Sequence, residues 1–292
     1  MTQPVFRFAP SPNGRLHLGH AYSALLNAAL AARWGGRFLL RIEDIDATRC
    51  RPEYEAGIYE DLAWLGLSFE EPVRRQSEHF PEYRAALATL QGRELAYPCF
   101  CTRTEIAAVA RREAETGKPW LRDPDGAPLY PGTCRALSAH DAAQRIAAGE
   151  PHAWRLDMAR ALAEAPPRLA YPRFVPNGAE ESQEEVVAHP ERWGDAVVAR
   201  KEIPTSYHLS VVHDDAVQGV THVVRGRDLE AATDLHVLLQ HLLGLPTPHY
   251  HHHPLIRDEA GGKLSKRLLS ESLADLRARG VTAEAVRRKL GF

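Results

Sequence analysis

The stretch that most constrains the fold is residues 5–34. A short apolar run, VFRFA at 5–9, meets Pro10 and Pro12 and then Gly14. Neither proline can offer an N–H to a sheet ladder, so a strand ends there, and the glycine permits a sharp turn. Over 18–34 the apolar residues Leu18, Ala21, Leu25, Leu26, Ala29 and Leu30 recur at helical spacing, and Gly35-Gly36 closes the run as a C-cap does. The order is strand, loop, helix. A helix that starts on such a loop presents free N–H groups and the positive end of its dipole, which makes an anion site. His17 and His20, three residues apart, share one face of the first turn, and Gly19 leaves room for a flat ligand. Paired imidazoles in that place suit the oxygens of a nucleoside triphosphate as they gain charge. Taken alone, two surface histidines are the plainer reading.

With 292 residues the chain can bury a large core, in one domain with an insertion or in two domains. A net charge of −2 excludes a global polycation, so any nucleic-acid contact must come from local arginine patches. No apolar run approaches the ~20 residues of a membrane span, and MTQPVFRFAP lacks the charged and apolar regions of a signal peptide. A cytoplasmic, monomeric enzyme is the expectation. In a reducing compartment the cysteines at 99, 101 and 134 read as a metal site rather than a disulfide framework. A tetrahedral Zn²⁺ site needs a fourth ligand, and on chemistry alone His140 is the candidate.

Along the chain, 38–42 reads as a second buried strand crowned by Glu43, Asp44 and Asp46. Ligands sit at the carboxyl ends of parallel strands, so Glu43 is placed to hold a cationic group, while Asp46 is expected to cap a helix beginning near Pro52. Amphipathic helices are expected at 52–67 and 83–92, with Tyr54, Tyr59, Trp64 and Tyr83 as packing residues. Residues 136–197 read as a mixed small domain with an acidic loop at 177–185, and 194–200 as a strand returning to the main domain. Arg7 and Arg225 each end a buried-looking strand, where an unpaired charge is costly. Either a substrate carboxylate or an internal partner (Glu43, Asp44 or Asp228) must answer them. The histidines at 251–253 suggest a metal site by residue type. Beyond Gly261-Gly262 lies KLSKR at 263–267, which holds two of the chain's five lysines.

HLGH at 17–20 and KLSKR at 263–267, in this order, resemble the paired ATP-binding motifs of class I aminoacyl-tRNA synthetases. RIEDID at 41–46 and TSYHLSVVHDDAVQGVTHVVRGRD at 205–228 resemble the glutamyl-tRNA synthetase core. The resemblance implies an α/β fold: a Rossmann-like catalytic domain with a parallel sheet, interrupted by a small inserted zinc-binding, acceptor-type domain. The implied ranges are 1–97 and 194–267 for the catalytic halves, 98–193 for the insertion, and 268–292 for a short helical end. It implies ATP binding, with Mg²⁺, by His17, Gly19, His20, Lys263, Ser265 and Lys266, of which His17, His20 and Lys266 are catalytic. It implies a glutamate pocket of Arg7, Phe8, Ala9, Pro10, Ser11, Glu43, Tyr207 and Arg225, with Glu43 receiving the α-amino group. For the metal it points to Cys99, Cys101, Cys134 and Tyr130, the tyrosine standing four before the last cysteine. It implies that 250–255, with its histidines, is a loop leading to residues 263–267 rather than a metal site. Val211 stands where ordinary glutamyl-tRNA synthetases carry asparagine, which should weaken glutamate binding when tRNA is absent. Residues 268–292 leave no room for a helical anticodon-reading domain. The resemblance therefore implies the subfamily that activates glutamate without tRNA and transfers it to queuosine in the anticodon loop of tRNA(Asp). Two other readings are a glutamate-adenylating enzyme with a different acceptor and a non-catalytic, tRNA-binding paralogue.

Overall fold

The computed structural model describes residues 3–177, 180–256 and 271–292. The opening strand β1 (Val5–Phe8) and helix α1 (Leu18–Arg33) form where the proline-glycine loop dictates. β2 (Arg37–Ile42) follows and pairs parallel to β1 with Phe6 opposite Phe38. Then come α2 (Pro52–Trp64), β3 (Glu70–Arg75) and α3 (Phe80–Gly92). After the small-domain elements the chain adds α7 (Tyr207–Val217), β9 (His222–Gly226), α8 (Ala232–Leu243) and β10 (His249–His253). The strands assemble into a seven-stranded sheet in the order β3-β2-β1-β9-β10-β6-β7. All its pairings are parallel except that of β6 (Ala170–Asn177) with β7 (Glu180–Val187).

Both faces of the central strands are covered, as a parallel sheet requires. Phe6, Phe8, Phe38, Leu40 and Ile42 pack with Leu25, Leu30, Ile58 and Leu62 of α1 and α2. The alternate residues Val5 and Leu39 join Leu87, Leu90, Leu209, Val212, Leu235 and Leu238 of α3, α7 and α8. Each such Leu or Phe, taken fully out of water, contributes roughly 1.5–3 kcal/mol. The period of two then decides a functional matter. Arg7 alternates with Phe6 and Phe8, and Arg41 with Leu40 and Ile42, so both arginines turn to the α7 side.

A second, three-stranded antiparallel sheet joins β4 (Ala96–Cys99), β5 (Ala153–Leu156) and β8 (Val197–Ala199). Around it lie α4 (Arg103–Ala114), α5 (Ala139–Ala147) and α6 (Met158–Glu164). The strand pairing divides the chain differently from the expected insertion at 98–193. The strand expected at 194–200 pairs with β5 and not with the main sheet, while its Ala196, Val198 and Ala199 pack in the core cluster of Val5, Leu39, α7 and α8. The expected acidic loop at 177–185 belongs to the β6–β7 hairpin, which joins the main sheet through Tyr250 opposite Arg173. Its polar sequence reads as loop because β7 is an edge strand, where charged side chains in water are tolerated and discourage stray pairing. The Arg173–Glu184 pair (2.5 Å) and the Arg168–Glu185 pair (2.7 Å) bind the two strands.

The expected loop at 250–255 is instead the interior strand β10. Two of its histidines are core residues, His252 and His253 at 5% and 4% exposed, while His249 and His251 are half-buried. His251 and His253 each turn Nδ1 to a backbone carbonyl, of Phe174 and Pro254, at 3.0 Å. At the far end, α9 (Leu273–Ala278) and α10 (Ala283–Lys289) dock on α2. Arg277 pairs with Asp61 and Glu60 at 3.1 Å, and Arg287 donates to the Leu65 carbonyl. No helix among the described residues is long and apolar enough to cross a membrane.

Candidate active site

The amino terminus of α1 carries a capping box built from two imidazoles. His17 is the N-cap, and its Nδ1 accepts the Gly19 N–H at 3.1 Å. His20 Nδ1 accepts the His17 N–H at 3.2 Å. The rings lie 3.9 Å apart between centroids. Burial lowers the His17 pKa, and burial together with His17 brings His20 down to about 3, so both rings are neutral at pH 7. A neutral imidazole that accepts at Nδ1 carries its proton on Nε2, so each histidine has an Nε2–H to donate. Gly19 serves this pair directly. A Cβ there would come within 3.0 Å of His17 Cε1, so the space beside Gly19 holds the His17 ring. Lys263, Ser265 and Lys266 lie outside the described residues. The chain on either side of them touches α1: Ser272 bridges His17, and the His253 ring lies 4.9 Å from that of Tyr22.

A cavity of about 770 Å³ opens at the carboxyl ends of the strands and reaches the small sheet. Ser11, Glu43, Tyr207 and His208 line it, with Cys50, Gln76, Arg200 and Tyr130. The expected pocket residues thus separate into groups. Ser11, Glu43 and Tyr207 are on the wall. Arg7 and Arg225 are buried, each 5% exposed. Phe8 is core, and the Pro10 carbonyl is occupied by the Glu43 N–H at 3.0 Å. Val211, 1% exposed, packs in the apolar cluster of α7 and α8. Asp46 does not cap α2, whose N-cap is Arg51. It accepts from Thr48 and holds Arg200 at 3.0 Å on the cavity wall.

The arginines have different surroundings. Arg7 donates from Nε to Asp215 at 3.0 Å, a partner on α7 that the sequence reading did not single out. Arg41, fully buried, meets Asp215 at 2.8 Å, Glu43 at 3.2 Å and Asp214 at 3.9 Å. Burial opposes its charge, but the three carboxylates hold its pKa above the ordinary value. Burial raises the Glu43 pKa against the pull of Arg41 and Arg7. Asp214 is held down to about 2 in spite of its burial, by His213, Arg41 and Arg74 among others.

Arg225 has no carboxylate partner among the described residues. Its guanidinium donates to Thr233 Oγ1 (2.8 Å), His236 Nδ1 (3.2 Å), Tyr207 OH (3.4 Å) and His252 Nε2 (3.5 Å). Burial and then Arg225 lower His208 to about 4, His252 to about 2, and His236 well below its ordinary value. The arginine also orders their protons. His236 accepts from Arg225 at Nδ1, so its Nε2–H donates to His208 Nδ1, 3.1 Å away. His208, on the cavity wall, is left with its proton on Nε2. Sequence reasoning missed this cradle of Thr233, His236, His208 and His252. The available signal was that an arginine ending a buried strand demands acceptors from the helices packed on that face.

The cysteine cluster forms as expected. The Sγ atoms of Cys99, Cys101 and Cys134 lie within 4.8 Å of one another. The Tyr130 hydroxyl is 3.4 Å from Cys101 Sγ and accepts the Cys134 N–H at 2.8 Å. α4 and a turn closed at Arg122 and Pro128 fill the long spacer and return Tyr130 to the thiols. His140 is exposed at the start of α5, outside the group. Soft donors at this spacing, with the Phe100 N–H directed to Cys134 Sγ at 3.4 Å, fit a thiolate-bound metal.

The chain is similar to known proteins over nearly its whole length. The family model for class I tRNA synthetases (E and Q), catalytic domain, matches residues 4–291. A Rhodobacter capsulatus protein named glutamyl-Q tRNA(Asp) synthetase is 48% identical over 99% of this chain and all of its own length. Glutamate–tRNA ligase 2 of Nitrosococcus oceani is 39% identical over 96% of this chain but only 57% of its own. The crystal structure of glutamate-tRNA synthetase from Elizabethkingia anophelis superposes with a TM-score of 0.74 at 27% identity, over all of this chain and 54% of that one.

Proposed function

Because the chain belongs to the class I tRNA synthetase (E and Q) family, an enzyme family of ligases, we propose that it activates L-glutamate with ATP and transfers it to the queuosine base of tRNA(Asp). The observation that carries the amino-acid choice is Arg225. A buried guanidinium surrounded by neutral groups is suited to a substrate carboxylate, and a neutral glutamine side chain would leave it unpaired. Tyr207 and the Nε2–H of His208 extend the same donor set to the cavity wall. Glu43, whose burial is partly offset by Arg41 and Arg7, is the acceptor for the α-amino group, whose positive charge would favour its ionised form; Ser11 lines the same wall.

In the first step an α-carboxylate oxygen of glutamate attacks the α-phosphorus of ATP, and the bond to the bridging oxygen breaks to release pyrophosphate. His17 and His20 donate from Nε2 to phosphoryl oxygens as charge develops there; being neutral and fixed by the capping box, they need no reorganisation. Lys263, Ser265 and Lys266 complete the ATP site. Bound with ATP, Mg²⁺ supplies charge neutralisation to the phosphates. In the second step a cyclopentene-diol hydroxyl of queuosine attacks the carbonyl carbon of the adenylate. AMP leaves with the C–O electron pair, and the hydroxyl proton is lost to it or to water. Cys99, Cys101, Cys134 and Tyr130 would hold one structural Zn²⁺, which would tie the end of β4 to the segment 130–134, whose Tyr130 lines the cavity.

The choice of queuosine is supported by the name and matching length of the Rhodobacter relative. Its test is transfer of radiolabelled glutamate, with ATP, to tRNA(Asp) with and without queuosine. Label on the queuosine form alone, recovered after nuclease digestion in the anticodon-loop fragment and not on the 3′-terminal adenosine, is expected. Label on the 3′ end of tRNA(Glu) would identify ordinary charging instead. Pyrophosphate exchange with neither tRNA labelled would mean another acceptor.

A further inference from the structure

Away from the catalytic cavity, the β6–β7 hairpin brings a carboxylate to two histidines that are cross-strand neighbours. His222 and His249 are the first residues of β9 and β10 and stand directly opposite each other in the parallel ladder. Glu181, from β7, bridges them: its Oε2 lies 3.2 Å from His222 Nε2 and its Oε1 lies 3.0 Å from His249 Nδ1. The two imidazoles are 4.9 Å apart between centroids, and all three ligand atoms fall within 4.8 Å of one another. They come from three strands distant in sequence, at the ends of β9 and β10 opposite the one that carries Arg225.

We propose that Glu181, His222 and His249 form a second metal site, taking a divalent transition cation of the Zn²⁺ class, separate from the cysteine cluster. Two imidazoles and a carboxylate are the donor set such ions prefer when thiolates are absent. Ligands ~2.1 Å from a tetrahedral ion stand roughly 3.4 Å from each other, so the carboxylate–imidazole spacings already approach what is needed. The surroundings are also suitable. Thr221 Oγ1 lies 2.7 Å from His222 Nδ1 and accepts the Val5 N–H at 2.8 Å. With the metal on Nε2, the His222 proton resides on Nδ1 and is donated to Thr221, which has a second lone pair for it. That outer partner is the kind that fixes a ligand's tautomer and ring orientation. Below the site, Phe6 stacks on the His222 ring (centroids 4.9 Å) and Phe174 packs edge-on to it at 5.2 Å, so the ring cannot swing away. Gln183, 3.2 Å from His249 Nδ1, flanks the open side. Bound there, the cation pins the edge hairpin to the two central strands.

The probe is Co²⁺, titrated into the purified full-length chain, because its spectrum separates thiolate from nitrogen and oxygen ligation. One equivalent without thiolate charge-transfer absorption is expected beyond the cysteine site. It should be lost in Glu181→Gln and in His249→Ala, while the thiolate-ligated equivalent stays. His249 is partly exposed, so its variant folds even if a change at the buried His222 does not. Zn²⁺ should raise the melting temperature of the wild type by several degrees more than that of His249→Ala. Absence of a non-thiolate equivalent in the wild type, or its survival in the Glu181→Gln/His249→Ala double variant, would overturn the assignment.

Discussion

Arg41 and Arg225 are both buried arginines near the carboxyl ends of parallel strands, both turned toward the helices α7 and α8, yet their surroundings have opposite chemistry. Arg41 is neutralised by Asp215, Glu43 and Asp214, with only its Nε left without a hydrogen bond. Arg225 is held by a threonine, a tyrosine and two histidines, all neutral. The first network closes upon itself and braces the sheet against α7. The second orients a guanidinium without neutralising it and leaves the counter-charge to come from outside. A buried cation supplied with hydrogen-bond acceptors but no anion is thus a better pointer to a ligand than burial or charge alone.

Substituting each arginine separates the two roles. Arg225→Met is expected to lower kcat/KM for glutamate in pyrophosphate exchange by about 10²–10³-fold, the equivalent of a lost buried charge pair. Its unfolding free energy should move by less than about 1–2 kcal/mol, because no carboxylate is orphaned. A variant that exchanges pyrophosphate normally would break the comparison. Arg41→Met should do the reverse in stability, costing about 3–5 kcal/mol in urea denaturation, since Asp214, Asp215 and Glu43 are left buried without their shared partner. A loss below about 1 kcal/mol would show that those acids simply protonate.

Acidification distinguishes the same networks by pH window. The histidines beside Arg225 have folded pKa values below the ordinary 6.5, His208 near 4. The unfolded chain therefore binds more protons below about pH 6.5. Stability is complete above that and falls toward pH 4, by up to roughly 1.4 kcal/mol per pH unit for each group. His20, near 3, adds to the same fall. Asp214 acts in the same direction but in a lower window: depressed from 3.8 to about 2, it keeps its contribution until the pH drops below about 4 and loses it toward 2. The urea midpoint should thus decline between pH 7 and 5, and His208→Gln should flatten that decline. A midpoint constant over this range would contradict the neutral cradle. The smallest effect is expected of Tyr207→Phe. Its 3.4 Å contact to Arg225 is long, so the KM for glutamate should rise only about two- to fivefold at unchanged kcat.

Much of this was legible along the chain. Prolines 10 and 12, the helical period after them and the glycine pair at 35–36 define β1 and α1 through local sterics and local hydrogen bonding. The cysteine spacing and Tyr130 likewise identify a cluster that the fold assembles. The failures were strands whose stability is not local. β10 is a histidine run that becomes interior strand only because β9 and β6 flank it, and β7 is an acidic edge held by cross-strand pairs. Gly194–Arg200 reads as a strand returning to the main domain and does pack in its core, but its strand partner is chosen by where β5 lies.

By itself, then, the sequence determined the anion-binding helix terminus and that Arg7 and Arg225 end buried strands, because each depends on neighbours within a few residues or on simple alternation; the thiols were legible by residue type, although the fold had to bring Cys134 to Cys101 across 33 residues. Only the tertiary structure decided which of those arginines was already neutralised. Arg7 and Arg41 meet Asp215 across more than 170 residues, Arg225 meets no carboxylate among the described residues, and Glu181 reaches His222 and His249 from a different strand. Charge pairing in a protein interior is settled by which helix packs on which face of the sheet, a relation that no local pattern encodes.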